Sequence, residues 1–187
     1  SPVDGRVIAN VASCDAADVD RAVAAARRTF EAGIWRDADA ATKKKVLLRL
    51  AELIRAHADE IALLETLDVG KPIANALNVD VPFCANCIQY YAEFADKLYD
   101  EVAPAAGPDE LALVRKEPLG VIGAIVPWNY PLIIAAWKIG PALLAGNSVV
   151  LKPAEQSSLA SLVLARLAQE AGLPDGVFNV VTGLGEK

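Results

Sequence analysis

The chain has 187 residues, 54% of them hydrophobic and 22% charged, which is enough for one domain with a sizeable core. Its net charge of −6 excludes the basic surface that nucleic-acid binding requires, and its apolar runs are interrupted before the ~18–20 residues of a membrane-spanning helix. The three cysteines, an odd number at uneven spacing, favour a reducing compartment, so we predict a cytoplasmic protein without a nucleic-acid or membrane partner.

The N-terminal region is predicted to begin with a hairpin and to continue as a helix. Asp4-Gly5 is a turn pair followed by β-forming residues, which predicts a hairpin over residues 3–11. The run 14–18 resembles a capping box and predicts a helix that extends to about Glu31. Gly33 ends this helix. Its apolar stripe at helical spacing is Val19, Val23, Ala26 and Phe30.

Three more helices are predicted before residue 98. Thr42 caps the first of them, and Ala58 begins the second. Gly70-Lys71-Pro72 ends the second helix with a typical stop signal. Residues 73–97 form a long third helix that is interrupted or restarted near Pro82.

The second half of the chain alternates strands and helices. Two short β-like runs lie at residues 99–103 and 111–115. Apolar runs at 119–126 and 148–151 lack polar alternation, which is typical of parallel strands covered on both faces. A helix-length segment, 131–144, lies between them.

A further helix and strand complete this pattern. Ser157 or Ser158 can cap the helix, Gly172 and Pro174 close it, and residues 177–181 form a third buried strand. We therefore predict an α/β protein with an N-terminal helical layer and a Rossmann-like β-α-β-α-β half-domain that is incomplete at its C-terminal end. The sequence contains no methionine and stops just after a Gly-x-Gly, so we expect it to be a fragment of a longer protein.

Polar residues follow the predicted parallel strands, where ligands bind in open α/β sheets. Asn129 is either a turn residue before a helix or an amide that donates to a developing oxyanion. Lys152 and Glu155 can grip the hydroxyl groups of a ribose, and the carboxylate would repel a 2′-phosphate and so favour NAD over NADP. Gly183 and Gly185 can let the backbone approach a pyrophosphate.

The cysteines and the single histidine are predicted to be structural. Cys84 and Cys87 form a C-x-x-C without a second Cys/His pair, so neither a zinc site nor a redox pair is favoured. Cys14 precedes a helix, and His57 ends one as a solvated residue. The residues alone thus indicate a nucleotide-binding half-fold and define no nucleophile.

Several motifs occur in order along the chain. They are Glu65-Thr66-Leu67-Asp68-Val69-Gly70-Lys71-Pro72, Pro127-Trp128-Asn129-Tyr130-Pro131, Trp137-Lys138-Ile139-Gly140-Pro141-Ala142-Leu143, Ala145-Gly146-Asn147, Lys152-Pro153-Ala154-Glu155, Glu170-Ala171-Gly172-Leu173-Pro174 and Gly176-Val177-Phe178-Asn179-Val180-Val181. Together they resemble the aldehyde dehydrogenase superfamily over essentially all 187 residues. The overall sequence, including the run 99–104, is most similar to bacterial enzymes that act on amino-aldehydes such as γ-glutamyl-γ-aminobutyraldehyde.

The resemblance implies the N-terminal portion of an NAD-dependent enzyme that oxidises an aldehyde to a carboxylic acid through a cysteine thiohemiacetal, with NADP as a possible alternative. Asn129 would be the one catalytic residue in this chain. The implied cofactor-binding residues are Ile125, Val126, Pro127, Trp128, Lys152, Glu155 and Gly183. The implied substrate residues are Tyr130, Ile133 and Trp137. Asp68 and Gln156 match positions that hold a monovalent cation in some members, but we assign no metal ligand because the residues that complete that site are lacking.

The resemblance also implies a domain division. Residues 1–98 and 118–187 would form part of a coenzyme-binding domain, and residues 99–117 part of a β arm that pairs subunits into a homodimer or homotetramer. The catalytic domain, with the nucleophilic cysteine and the general-base glutamate, is absent from this chain, so the fragment alone is predicted to be inactive. The alternatives are a truncated, non-catalytic nucleotide-binding or assembly module and, further, a coenzyme A-acylating aldehyde dehydrogenase.

Overall fold

A computed structural model describes residues 1–105 and 107–186; Ala106, within the predicted β arm, and Lys187 lie outside the described residues. The first half is helical. Its elements are α1 (Ala16–Glu31), α2 (Ala40–Ala56), α3 (Ala58–Val69), the short α4 (Ile73–Asn75), a π-helical turn (Ala76–Asp80), α5 (Val81–Glu93) and a 3₁₀ turn (Ala95–Lys97). The long third helix predicted over residues 73–97 is thus interrupted just before Pro82, as the sequence indicates.

The second half contains two sheets. Strands β1 (Glu101–Ala103) and β2 (Ala112–Val114) pair antiparallel. The remaining elements are β3 (Val121–Val126), α6 (Pro131–Leu144), β4 (Ser148–Pro153), α7 (Leu159–Glu170) and β5 (Phe178–Val180). Strands β3, β4 and β5 are parallel and adjacent in chain order. This arrangement confirms the predicted β-α-β-α-β unit.

The parallel sheet has a helix layer on each face. Both crossover helices lie on the same face because the strand order is sequential and such crossovers are right-handed. Val149 and Leu151 of β4 join the main core beneath α6 and α7, whereas Val150 packs with Ala26 of α1 on the other face. Helix α5 packs between α2 and α6, so the N-terminal helices extend the main core away from the sheet.

Carboxylates cap three helices. Asp15 and Asp18 form a capping box at the start of α1, as predicted. The prediction that Thr42 caps α2 is wrong, because Asp39 is the cap and its Oδ1 accepts a hydrogen bond from the Thr42 backbone N at 2.6 Å. At α7 the cap residue is Ser158, yet Leu159 N donates to Asp68 Oδ2 at 2.8 Å. Asp68, a residue distant in sequence, therefore accepts a hydrogen bond from a free backbone N–H group at the start of α7.

Two expectations about strands are wrong. The turn at Asp4-Gly5 forms, but residues 5–15 make no strand, because no strand in the described part of the chain lies beside them. Strand β3 is not covered on both faces, because Ile125 is 80% exposed. Strand β4 lies between its neighbours and is almost wholly buried, as expected.

Close packing of α5 on α6 depends on Gly140. A Cβ atom at this position would lie 2.7 Å from Cδ2 of Tyr91. We expect Gly140→Ala to lower the stability of the full-length protein by about 1–2 kcal/mol, because overpacking costs ~1–3 kcal/mol and exceeds the ~1 kcal/mol gain in helix propensity. Thermal unfolding measures this loss as a lower Tm.

The same substitution in a Tyr91→Ala background serves as the control. With the ring removed, the added methyl group has space, so Gly140→Ala is expected to be neutral or stabilising there. An unchanged or higher Tm for Gly140→Ala with Tyr91 present would contradict this account of the contact.

Within the described residues, none of the helices combines the length and apolar character needed to traverse a bilayer.

Candidate functional site

The carboxyl ends of β3 and β4 open beside a groove on the α1 face of the sheet. The groove has a volume of about 660 Å³. Its apolar wall includes Val19, Val23, Ile125, Val150 and Val181. The exposed face of β3 is therefore one wall of a cleft at the edge where ligands bind in parallel α/β sheets.

Lys152 and Glu155 lie together at the mouth of this groove. Lys152 Nζ is 3.6 Å from Glu155 Oε2 and donates to the carbonyl oxygen of Pro153 at 2.9 Å. The Lys152 side chain is 20% exposed and that of Glu155 is 43% exposed. The predicted pair therefore presents a cationic donor and a carboxylate acceptor next to an apolar wall, a combination that suits a sugar with an attached base.

Two glycines also shape the groove. Gly123 lies on its wall, and a Cβ atom there would meet no other atom within 4 Å, so the missing side chain leaves open space. Gly183 has φ +124°, and a Cβ atom there would lie 3.0 Å from Cys14 N. Gly183 thus allows the chain after β5 to pack on the start of α1, where Cys14 N donates to Thr182 O at 3.0 Å. The residues present fit the adenosine half of a dinucleotide.

The candidate cofactor residues fall into two groups. Ile125 and Val126 line the groove with Lys152 and Glu155, whereas Pro127 and Trp128 lie beyond its wall. Gly183 lies between two residues that do line it, Thr182 and Leu184. The assigned roles of all seven residues stay predictions.

Asn129 lies in the exposed turn between β3 and α6. Residues 127–130 form this turn, and Pro131 begins α6. In the described part of the chain, the Asn129 carboxamide makes no hydrogen bond, so it is available as a donor. Strands β3 and β4 are neighbours, and Val126 pairs in register with Pro153. The turn that carries Asn129 and the residue Lys152 therefore lie at adjacent carboxyl ends of the sheet.

The candidate substrate residues follow Asn129 on α6. Tyr130 and Trp137 are half exposed, and Ile133 is buried between them. Trp137 also packs edge-on against Phe83 of α5, with 6.0 Å between ring centroids. Phe83 extends this aromatic surface and was not singled out by the sequence analysis, since nothing in the local pattern indicates which helix packs beside α6.

Helix α1 also contributes groove residues that its sequence pattern does not indicate. Val19 and Val23 belong to its apolar stripe, a spacing typical of core residues, but both are more than one-third exposed and face the groove. The sequence pattern does not indicate Thr182 either. Its hydroxyl group donates to Ala12 O at 2.7 Å, which ties β5 to the segment before α1.

Cys14 lines the groove, whereas Cys84, Cys87 and His57 lie outside it. Cys84 is fully buried and Cys87 partly buried; burial raises the pKa of both thiols, so neither is an activated nucleophile. His57 Nδ1 is 2.9 Å from Glu60 Oε2 on the protein surface. The described residues contain no cluster of three or more His, Cys, Asp or Glu side chains arranged to hold a metal ion.

Asp68 and Gln156 line a separate groove of about 460 Å³ near the N-terminus. One carboxylate oxygen of Asp68 already accepts from Leu159 N. Burial raises the pKa of Asp68. The contact identifies Asp68 as a capping residue of α7.

Three adjacent parallel strands, helices on both faces and a groove at the strand ends define a Rossmann-like α/β unit. The model of the "Aldehyde dehydrogenase family" matches residues 1–187. The chain belongs to the aldehyde dehydrogenase family. The predicted resemblance and fold class are therefore confirmed.

Individual members of the family are highly similar to this chain. The NADP/NAD-dependent aldehyde dehydrogenase PuuC of Escherichia coli (strain K12) is 55% identical over 186 residues, which cover 100% of this chain and 37% of that protein. The crystal structure of γ-glutamyl-γ-aminobutyraldehyde dehydrogenase from Burkholderia cenocepacia J2315 is 58% identical, with a TM-score of 0.97 over 100% of this chain and 38% of that one.

A third similar protein was solved with its cofactor. The structure of indole-3-acetaldehyde dehydrogenase complexed with NAD⁺ is 55% identical and has a TM-score of 0.98, again over 100% of this chain and 38% of that one. The chain therefore spans less than two-fifths of the length of these relatives, which agrees with the predicted N-terminal portion.

Proposed function

We propose that the full-length protein oxidises an aldehyde to a carboxylic acid with NAD⁺, and that residues 1–187 provide the cofactor groove and one oxyanion donor. The observation that carries this proposal is the placement of two different polar groups on neighbouring strand ends. Asn129 follows β3, while Lys152 and Glu155 follow β4 at the mouth of the apolar groove.

The groups have separate tasks in this proposal. When bound, NAD⁺ supplies the hydride acceptor. Lys152 donates to the adenosine ribose, and Glu155 accepts from it. The Asn129 carboxamide donates to the oxygen that becomes negatively charged when the aldehyde is attacked, and it lowers the barrier by stabilising that charge. The nucleophile and the general base come from segments outside residues 1–187.

The aldehyde itself is proposed to contact α6. Tyr130 and Trp137 present half-exposed aromatic surface with Phe83, and Ile133, between them in the chain, is buried. An apolar, aromatic wall suits the carbon chain of an aldehyde. The similarity to the γ-glutamyl-γ-aminobutyraldehyde enzyme supports an amino-aldehyde as the substrate class.

We also propose the domain division and an oligomer. Residues 1–98 and 118–187 would form part of a coenzyme-binding domain, and residues 99–117 part of a β arm. The isolated β1–β2 pair and the exposed apolar side chains beside it support pairing of subunits through this arm as a homodimer or homotetramer. These side chains are Tyr99, Val102, Leu111 and Leu113. The three free cysteines support a cytoplasmic location.

The test uses the full-length protein with NAD⁺ and a panel of propanal, 3-aminopropanal and indole-3-acetaldehyde. We expect NADH to form, with the highest kcat/KM for the amino-aldehyde. Measured with NADP⁺ instead, KM is expected to be about tenfold higher, because the Glu155 carboxylate repels the 2′-phosphate. No NADH with any of these aldehydes would contradict the proposed activity, and equal KM values would contradict the cofactor preference alone.

A further inference from the structure

A buried ion cluster lies behind the Asn129 turn. It consists of Lys71, Glu65 and Asp80, and we refer to these three residues as the ion cluster. Lys71 Nζ donates to Glu65 Oε1 at 3.0 Å and to Asp80 Oδ2 in a second, close contact. The lysine side chain is 12% exposed, and both carboxylate side chains are almost fully buried. The function proposed above assigns no task to these residues.

Three different elements place these groups together. Glu65 lies in α3, and Lys71 follows Gly70, whose left-handed conformation ends that helix. Asp80 is the last residue of the π-helical turn. Such turns interrupt regular helices and are frequent at functional sites. The turn directs Asp80 into the protein, where its carboxylate meets the lysine.

The ion cluster is a poor means of stabilising the fold. Burial of two carboxylates and one ammonium group carries a large desolvation cost that their attraction often fails to recover. Burial raises the pKa of Glu65 to about 7, and Glu65 Oε2 has no hydrogen-bond partner in the described chain. Burial acts to lower the pKa of Lys71, but its hydrogen bonds with the two carboxylates raise it overall, so the ammonium stays charged. What the cluster provides is an ammonium group at a fixed position.

That ammonium group faces Tyr130. Lys71 Nζ lies 4.5 Å from the centre of the Tyr130 ring, within the range of a cation–π interaction. Tyr130 follows Asn129 directly and is the N-cap residue of α6, although its side chain makes no capping hydrogen bond. Among the described residues, the Asn129 side chain has no hydrogen-bonded anchor of its own, so the ring next to it is the part of the turn that the cluster holds.

We propose that the ion cluster positions the Asn129–Tyr130 turn, and that Lys71 is a positioning residue for the oxyanion donor through its contact with the Tyr130 ring. This inference rests on the function proposed above. The carboxylates hold the ammonium in place, the ammonium holds the ring, and the ring sets the direction of the neighbouring carboxamide. Lys71 touches neither the aldehyde nor the cofactor.

The test replaces Lys71 by methionine in the full-length protein, with propanal and NAD⁺. We expect kcat to fall by roughly 10- to 100-fold, because a small misplacement of a donor has an effect of this size. The Kd for NAD⁺, measured by fluorescence quenching, is expected to stay within about twofold, since none of the three cluster residues lines the groove. Lys44→Met removes a surface lysine that pairs with Asp96 at 2.9 Å and is expected to leave both values unchanged.

A second variant, in which all three members of the ion cluster are neutral, controls for misfolding caused by unpaired buried carboxylates. Glu65→Gln/Lys71→Met/Asp80→Asn removes the ammonium without leaving uncompensated buried charges, and it is expected to show the same loss of kcat. An Asn129→Ala background provides a second readout. If Lys71 acts through the carboxamide, Lys71→Met changes kcat by about twofold or less once that carboxamide is absent.

These outcomes separate positioning from a merely structural role. A neutral variant with normal kcat would overturn the inference, and so would effects of Lys71→Met and Asn129→Ala that multiply in the double variant. A loss of NAD⁺ affinity in Lys71→Met as large as its loss of kcat would also overturn the inference. If the unmodified protein oxidises none of the aldehydes, the proposed function itself fails, and this result is distinct from an active protein that is insensitive to Lys71→Met.

Discussion

Replacing Asn129 with alanine in the full-length protein is expected to lower kcat by about 10²–10³, the usual effect of removing one oxyanion donor. The carboxamide lies in the exposed turn between β3 and α6 and makes no hydrogen bond within the described chain, so its loss leaves no buried partner unsatisfied. We therefore expect little change in Tm. The KM for NAD⁺ is expected to stay near its original value, because Asn129 lies outside the groove that holds Lys152 and Glu155.

Asn10→Ala is the matched control, because Asn10 is exposed and distant in sequence from every candidate residue. It removes the same carboxamide from the surface and is expected to leave kcat and KM unchanged. Steady-state kinetics with saturating NAD⁺ and propanal measure both variants. Normal turnover in Asn129→Ala would exclude the oxyanion role and leave the other interpretation of this residue, a turn former ahead of α6.

The positions of most elements could be predicted because their boundaries are encoded locally. Proline and glycine mark both ends of α6: Pro131 begins it, and Gly146 follows its last turn in a left-handed conformation. Gly70 ends α3 in the same way. The cap of α2 shows where such local reasoning fails. Asp39 and Thr42 are both good capping residues, and only the path of the chain into the helix decides between them.

The exposure of strands and helix faces was harder to predict than the positions of the elements, because exposure depends on which other elements pack against them. The apolar sequence of β3 matches that of β4, yet Ile125 is exposed and Leu151 is fully buried. Leu151 faces the main core beneath α6 and α7, whereas Ile125 faces the groove on the opposite side of the sheet. Val19 and Val23 likewise have the spacing of core residues and face the groove instead.

The parts of the candidate site formed by residues close in sequence could be predicted. The parts formed by residues from separate elements could not. Lys152 and Glu155 are three residues apart at one strand end, so their meeting follows from local geometry. The ion cluster is different, because a left-handed glycine and a π-helical turn separate Glu65 from Asp80 and remove any regular spacing between them. The motif that contains Glu65 and Lys71 supported the family resemblance without indicating that both side chains are buried together.

The largest effect expected at the cofactor groove comes from Lys152. Its ammonium group lies at the mouth of the groove, largely shielded from solvent, and in the described chain it forms a hydrogen bond with Pro153 O and an ion pair with the Glu155 carboxylate. Since a hydrogen bond from a charged group contributes about 1.5–3 kcal/mol, Lys152→Met is expected to raise the KM for NAD⁺ by roughly 10- to 100-fold in the full-length protein. At saturating NAD⁺, kcat is expected to stay close to normal, because the proposed function places Lys152 at the ribose and not at the reacting carbon.

Lys45→Met is the control for this change. Lys45 is exposed on α2, so its replacement removes one positive charge from the protein without altering the groove. Direct NAD⁺ binding, followed by fluorescence quenching, separates affinity from turnover and does not require the aldehyde. A Kd for NAD⁺ that is unchanged in Lys152→Met would place the ribose elsewhere. A fall in kcat with unchanged NAD⁺ affinity would assign Lys152 to the chemical step at the end of β3 instead of to cofactor binding. In this structure its ammonium group bonds to Pro153 and Glu155, which both follow from β4.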